Sequence, residues 1–114
     1  MNIINLTNNR VIFVQAQEAK GFFPRLKGLM FKKSISNNEA LIFYKTPSIH
    51  TFFMKFPIDV IFLNHQKKVI RIVKNVIPNR IVYCKGAWYT IECKGENISV
   101  NYVNLGDTLS FQYE

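Results

Sequence analysis

The chain of 114 residues carries fifteen Lys and Arg against seven Asp and Glu, a net charge of +8, and 48% of its residues are hydrophobic. That length and apolar share suit one packed domain over residues 1–114. No apolar run approaches the roughly 20 residues of a membrane-spanning helix, and the opening MNIINLTNN predicts no secretory signal, so a soluble, cytoplasmic chain is expected.

Residues 2–7 and 10–16 read as two strands joined at Asn8-Asn9, a pair that adopts the positive φ of a tight hairpin. The segment AKGFFPRLKGLMFKK breaks this pattern. Phe22, Phe23, Leu26, Leu29 and Met30 recur at spacings of three and four, which predicts one short helix near residues 22–31. Pro24 suits its first turn, and Lys32-Lys33 suit its C-terminus. Gly28 costs helix propensity, about 1 kcal/mol relative to Ala, and close approach of backbone to a sheet would explain it. Strands are predicted at 40–44, 48–55, 58–63, 68–76, 87–94 and 108–113. Asn64 to Lys67 forms a polar hairpin turn, and the NLGDT stretch at 104–108 leads into the last strand. Pro47, Pro57 and Pro78 punctuate the series. Ten Phe and five Tyr favour pleated structure. The sum is a mainly β fold, a compact jelly-roll-like sandwich or barrel with one short helix.

Chemistry-bearing residues are few. Residues two apart in a strand share a face, so Asp59 lies with Ile61 and Leu63, and Glu92 with Trp88 and Thr90. An enclosed carboxylate needs a cation, several N–H donors, or a proton. Arg25, beside Leu26 and Leu29, offers a planar fork able to hold two carboxylate oxygens. Asp59 is therefore expected to anchor the sheet to the helix or to a turn. A polar pocket floored by Arg25, Asp59 and Glu92 is the functional form of the same arrangement. Strand alternation puts His50 and Met54 on one face and Lys55 on the other. His50 and Met54 lack a further ligand at suitable spacing, so no metal site is expected, and no nucleotide or hydrolase motif occurs. Cys84 and Cys93 lack C-x-x-C spacing and read as reduced thiols, with a hairpin disulfide as the alternative. The cations are spread along the chain, so nucleic acid is not an expected partner.

Three segments, RLKGLMF (25–31), ALIFYKTPSIHTFFMKFPIDVIFL (40–63) and AWYTIECKGENISVNYVNLGDTL (87–109), resemble the bacterial and archaeal domain-of-unknown-function family 192. The resemblance rests on Arg25, Gly28-Leu29-Met30, Phe53-Met54-Lys55, Pro57, Asp59, Glu92, Gly95 and Gly106-Asp107. It implies a compact, mostly β, jelly-roll-like domain and no assigned reaction. The expected function is a non-enzymatic binding module for a small ligand or a protein partner. Its site would draw on Arg25, Met30, His50, Met54, Lys55, Asp59 and Glu92. The alternatives are a hydrolase-like enzyme using Asp59 and Glu92 as acid and base, and a basic nucleic-acid-binding domain. No cofactor is expected, and the chain is expected to be a monomer.

Overall fold

The structure is a computed structural model, and it describes residues 1–21, 28–30 and 32–113. Its first sheet contains β1 (Asn2–Asn5), β2 (Arg10–Phe13) and β10 (Leu109–Gln112), in the order β10-β1-β2. The central sheet is built from β3 (Gln15–Glu18), β4 (Glu39–Tyr44), β6 (Ile58–Leu63), β7 (Val69–Val76) and β9 (Tyr89–Lys94), in the order β3-β4-β9-β6-β7. A third, two-stranded sheet pairs β5 (Ser48–His50) with β8 (Ile81–Tyr83). The architecture is mainly β and sandwich-like, without closure into a barrel. The helix expected over 22–31 falls largely outside the described residues, and residues 28–30 form turn structure. The helical element among the described residues is a 3-10 turn, Ile98–Tyr102, which the sequence reading did not anticipate.

The central sheet is covered on both faces. Every residue of β6 is buried, as expected of a strand with packing on both sides. One face meets the first sheet around Ile3, Phe13, Ile42, Ile61, Leu63, Ile91, Cys93 and Leu109. The other packs Ile58, Val60 and Phe62 against Leu29, Ile35, Ile49, Met54, Val76 and Cys84. Burying a side chain of this kind contributes about 1.5–3 kcal/mol, so the two layers dominate the fold's stability. Cys84 and Cys93 are free and buried, in separate layers on either side of the sheet. A hairpin disulfide between them is thereby excluded.

The turns follow their side chains. Asn9 has φ +60, and the Asn8 side chain accepts from the Arg10 N–H. Asn64 Oδ1 accepts from the N–H groups of Gln66 and Lys68, closing the β6–β7 hairpin. Asp107 Oδ2 accepts from Asn104 N–H and from the Asn5 amide, both at 2.8 Å. At the sheet edge, Glu18 accepts from the Tyr44 and Tyr113 hydroxyls and pairs with Lys20. Burial pushes the Glu18 carboxyl up, but these hydrogen bonds outweigh it and hold its pKa at about 2.

Two predicted strands are corrected. The strand expected over 48–55 stops at His50, because Thr51–Phe53 turns and Phe53 takes φ +61. The strand expected over 10–16 divides into β2 and β3 at Val14. The short strand β8 had no predicted counterpart.

Asp59 is 1% exposed and faces the first layer, opposite Cys93 on β9. Its Oδ1 accepts from Asn75 N–H at 2.9 Å and Glu96 N–H at 3.3 Å, and its Oδ2 from Asn97 N–H at 3.1 Å. The Asn75 donor lies in a bulge of β7 opposite Asp59, and both Asn75 and Glu96 have positive φ. A carboxylate between two irregular backbones is an economical way to satisfy N–H groups that no ladder reaches. Gly95 completes the joint. Its N–H donates to the Pro57 carbonyl, and a Cβ there would lie 2.8 Å from the same oxygen. Asp59 thus anchors a turn. Its expected link to Arg25 lies outside the described residues. Asp59→Asn puts an NH2 donor where N–H groups converge. Hydrogen bonds to a charged group contribute about 1.5–3 kcal/mol each, so urea denaturation of this variant is expected to show a loss of that order or more. Unchanged stability would contradict the joint.

Candidate functional site

The second acid takes the other face. β9 runs between β4 and β6, with Glu92 opposite Leu41 on one side and Val60 on the other. Val60 and Leu41 belong to the second layer, whereas Asp59, Ile61, Ile91 and Cys93 point to the first. Asp59 and Glu92 therefore lie on opposite faces of one sheet. This corrects the shared polar floor, and with it the acid–base pair that stood as the alternative reading. A sheet separates the two groups, and each is almost wholly enclosed, so they cannot serve one reacting atom.

Glu92 is 2% exposed. Among the described residues its Oε2 has no hydrogen-bond partner. Burial alone pushes its carboxyl up to about 8, so at neutral pH the group is held largely in its protonated form. Gly28 lies directly above. A Cβ on Gly28 would stand 3.4 Å from the Phe43 ring and 3.6 Å from Glu92 Oε2. Those are ordinary contact distances, so the demand for glycine comes from its φ of +50. Gly28 thus lies over the sheet as expected, but in a turn rather than a helix, and what demands glycine there is the φ and not a close approach. Beside it, Leu29 and Met54 are buried in the same layer.

The remaining predicted residues divide. Met30 is half-buried next to Leu29. His50 is half-buried, stacks on Phe52 at 5.4 Å between centroids, and accepts the Phe52 N–H at Nδ1. Met54 is 6% exposed and turned inward, while Lys55 is exposed. A strand running over 48–55, with His50 and Met54 on one face, would put Phe52 on that face too. The turn at Thr51–Phe53 instead directs Phe52 outward, at 39% exposure. Arg25 lies outside the described residues. Phe43 was missed as a site residue. Its place in β4, two residues after Leu41, was legible, but its nearness to Gly28 was not.

The Glu92 carboxyl offers one neutral O–H donor and acceptor oxygen among the apolar side chains of Phe43, Leu41 and Val60. Such a group suits a ligand that donates a hydrogen bond, or a cation that takes the ionised form.

A protein-family model described as "Uncharacterized ACR, COG1430" matches residues 3–111. An uncharacterised protein of Thermococcus sibiricus is 34% identical over 98% of this chain and 75% of its own length. One of Pyrococcus furiosus is 31% identical over 96% of this chain and 97% of its own. Among solved structures, a protein of unknown function from Novosphingobium aromaticivorans superposes with a TM-score of 0.81 and 21% identity, over 96% of this chain and 82% of that one. A Sinorhizobium meliloti protein described as a candidate transcription regulator gives 0.80 at 19% identity, over 96% and 89%. At such identities the two structures show the fold.

Glu92 makes stability fall with pH. The folded value lies above the unfolded one near 4.5, so the stabilising proton is fully present below that pH and lost as pH rises to about 8. Each unit of displacement corresponds to about 1.4 kcal/mol. Melts of Glu92→Gln against the parent chain, from pH 5 to pH 9, are expected to show the variant gaining relative stability up to about pH 8 and then levelling. Parallel melting curves would contradict the raised value.

Proposed function

The chain belongs to domain-of-unknown-function family 192, and from that premise, which assigns no activity, we propose that it is a non-enzymatic binding module. Its ligand is a small molecule with a hydrogen-bond donor or cationic group. The binding face is the second layer of the central sheet, with Glu92 at its floor and Met54 and Phe43 in its wall. Met30 and His50 border that face, and Lys55 stands outside it.

One observation carries the reading: a buried carboxyl oxygen, on a residue 2% exposed, without a partner among the described residues. Leaving a buried polar group unsatisfied costs about 1–3 kcal/mol. A ligand that satisfies it recovers that cost as affinity. Asp59, spent on three backbone N–H groups, has no place in this reading except as support for the sheet. The cytoplasm is the expected compartment.

Ligand-observed NMR with a library of small amines, amidines and amides tests this reading. The parent chain is expected to bind a subset, and Glu92→Gln to lose cationic hits by tenfold or more, about the loss of one charged hydrogen bond. Hits that bind Glu92→Gln equally well would place the ligand elsewhere. A library without hits, on a folded chain, would leave Glu92 as a core residue only.

A further inference from the structure

Thr51 ties together two segments that carry exposed apolar side chains. Its N–H donates to the Arg80 carbonyl at 2.8 Å, and its carbonyl accepts from Asn79 N–H at 3.1 Å. Its hydroxyl donates to the Ile77 carbonyl at 2.7 Å and accepts from Arg80 N–H at 2.8 Å. Thr51 itself is wholly buried. The turn beginning there sends Met54 inward and leaves Phe52 and Phe53 exposed by 39% and 63%. Phe53 has φ +61, a conformation that a bulky side chain rarely adopts. The fold thus holds two phenylalanines at the tip of a turn. Across the Thr51 hydrogen bonds, Ile77 and Ile81 are exposed by 49% and 67%. Tyr83 shares the outer face of β8 with Ile81, because Val82 between them packs inward.

The surroundings are cationic. Residues 40–91 contain eight Lys and Arg and a single acid, Asp59, which is enclosed and bonded to backbone. Lys55 follows the phenylalanine turn, and Arg80 and Lys85 bracket β8; all three are exposed. Arg71 reaches the Tyr83 carbonyl at 2.6 Å. Among the described residues the recorded ion pair is Lys20 with Glu18, elsewhere in the molecule. Exposed apolar side chains rimmed by cations that have no carboxylate partner among the described residues complement an anionic bilayer, and the exposed Glu96 carboxylate is taken up by the Asn75 side chain, two residues before Ile77.

We propose that this face docks on an anionic lipid bilayer. Phe52, Phe53 and Ile81 enter the headgroup boundary, and Lys55, Arg71, Arg80 and Lys85 meet lipid phosphates. Long cationic side chains without a carboxylate partner among the described residues suit a fluid array of phosphates better than the fixed geometry of a protein partner. Docking is peripheral and independent of the ligand reading at Glu92.

Co-sedimentation of the full chain with phosphatidylglycerol–phosphatidylcholine vesicles, against phosphatidylcholine alone, tests the proposal. Partition is expected into the anionic vesicles and to weaken as salt rises. Phe52→Ser should weaken it about tenfold or more, and Lys85→Gln about fivefold. Phe53→Ser is a second tip variant, and thermal melts confirm that each variant is folded. Leu105→Ser, at a residue exposed by 67% in the turn before β10, should leave partition unchanged. No partition into anionic vesicles overturns the proposal, as does equal weakening by Leu105→Ser. Vesicle-independent self-association abolished by Ile81→Ser would assign the face to a protein contact and also overturn it.

Discussion

The structure depends on one constraint: two neighbouring buried strands each carry a carboxyl, and the pleat sends one to each face. β6 and β9 pair so that Asp59 stands opposite Cys93 and Val60 opposite Glu92. The two acids are a few residues apart in the sheet yet belong to different layers. Burial is nearly complete for both, so each must solve the same electrostatic problem in its own surroundings. Asp59 solves it with three backbone N–H groups supplied by a bulge and a turn. The Oε2 of Glu92 meets no donor among the described residues, and burial drives the carboxyl towards its protonated form. A structural acid and a candidate binding acid thus arise on one sheet from which donors lie above each face.

This division gives physical meaning to the residues by which the family is recognised. Pro57, Asp59 and Gly95 form one joint: the glycine approaches the proline carbonyl where a side chain would collide, and the aspartate collects the N–H groups that follow it. Gly28 and Glu92 form another, in which a backbone with positive φ lies over an enclosed carboxyl. Gly106 and Asp107 shape the last turn, with φ +89 at the glycine and the carboxylate accepting from Asn104 and Asn5. Asn5 and Asp107 link the first strand to the turn before the last. They tie the ends of the described chain together.

Much of this was legible in the sequence where local chemistry decides. The Asn8-Asn9 and Asn64–Lys67 turns and the buried strand ending in Leu63 each follow from the residues themselves. Alternation also read correctly within β6 and within β9. The error came between them. Whether Asp59 and Glu92 share a face depends on the register of pairing, a long-range property that periodicity within a strand does not encode. The Thr51–Phe53 turn escaped for a related reason. Its phenylalanines have strong strand preference, and the tertiary bonds of Thr51 to Ile77, Asn79 and Arg80 override it. β8 escaped because a strand of three residues offers too little alternation to recognise.

The protonation of Glu92 is the most direct measure of the whole arrangement. A carbon-detected NMR titration of glutamate side-chain carboxyls, with Glu92→Gln supplying the assignment, reads that site alone. A midpoint near 8 is expected for a carboxyl whose charged form is disfavoured by burial. A midpoint at the ordinary glutamate value of about 4.3 would mean that water or a cation reaches the group. The distinction between a satisfied acid on one face and an unsatisfied acid on the other would then fall.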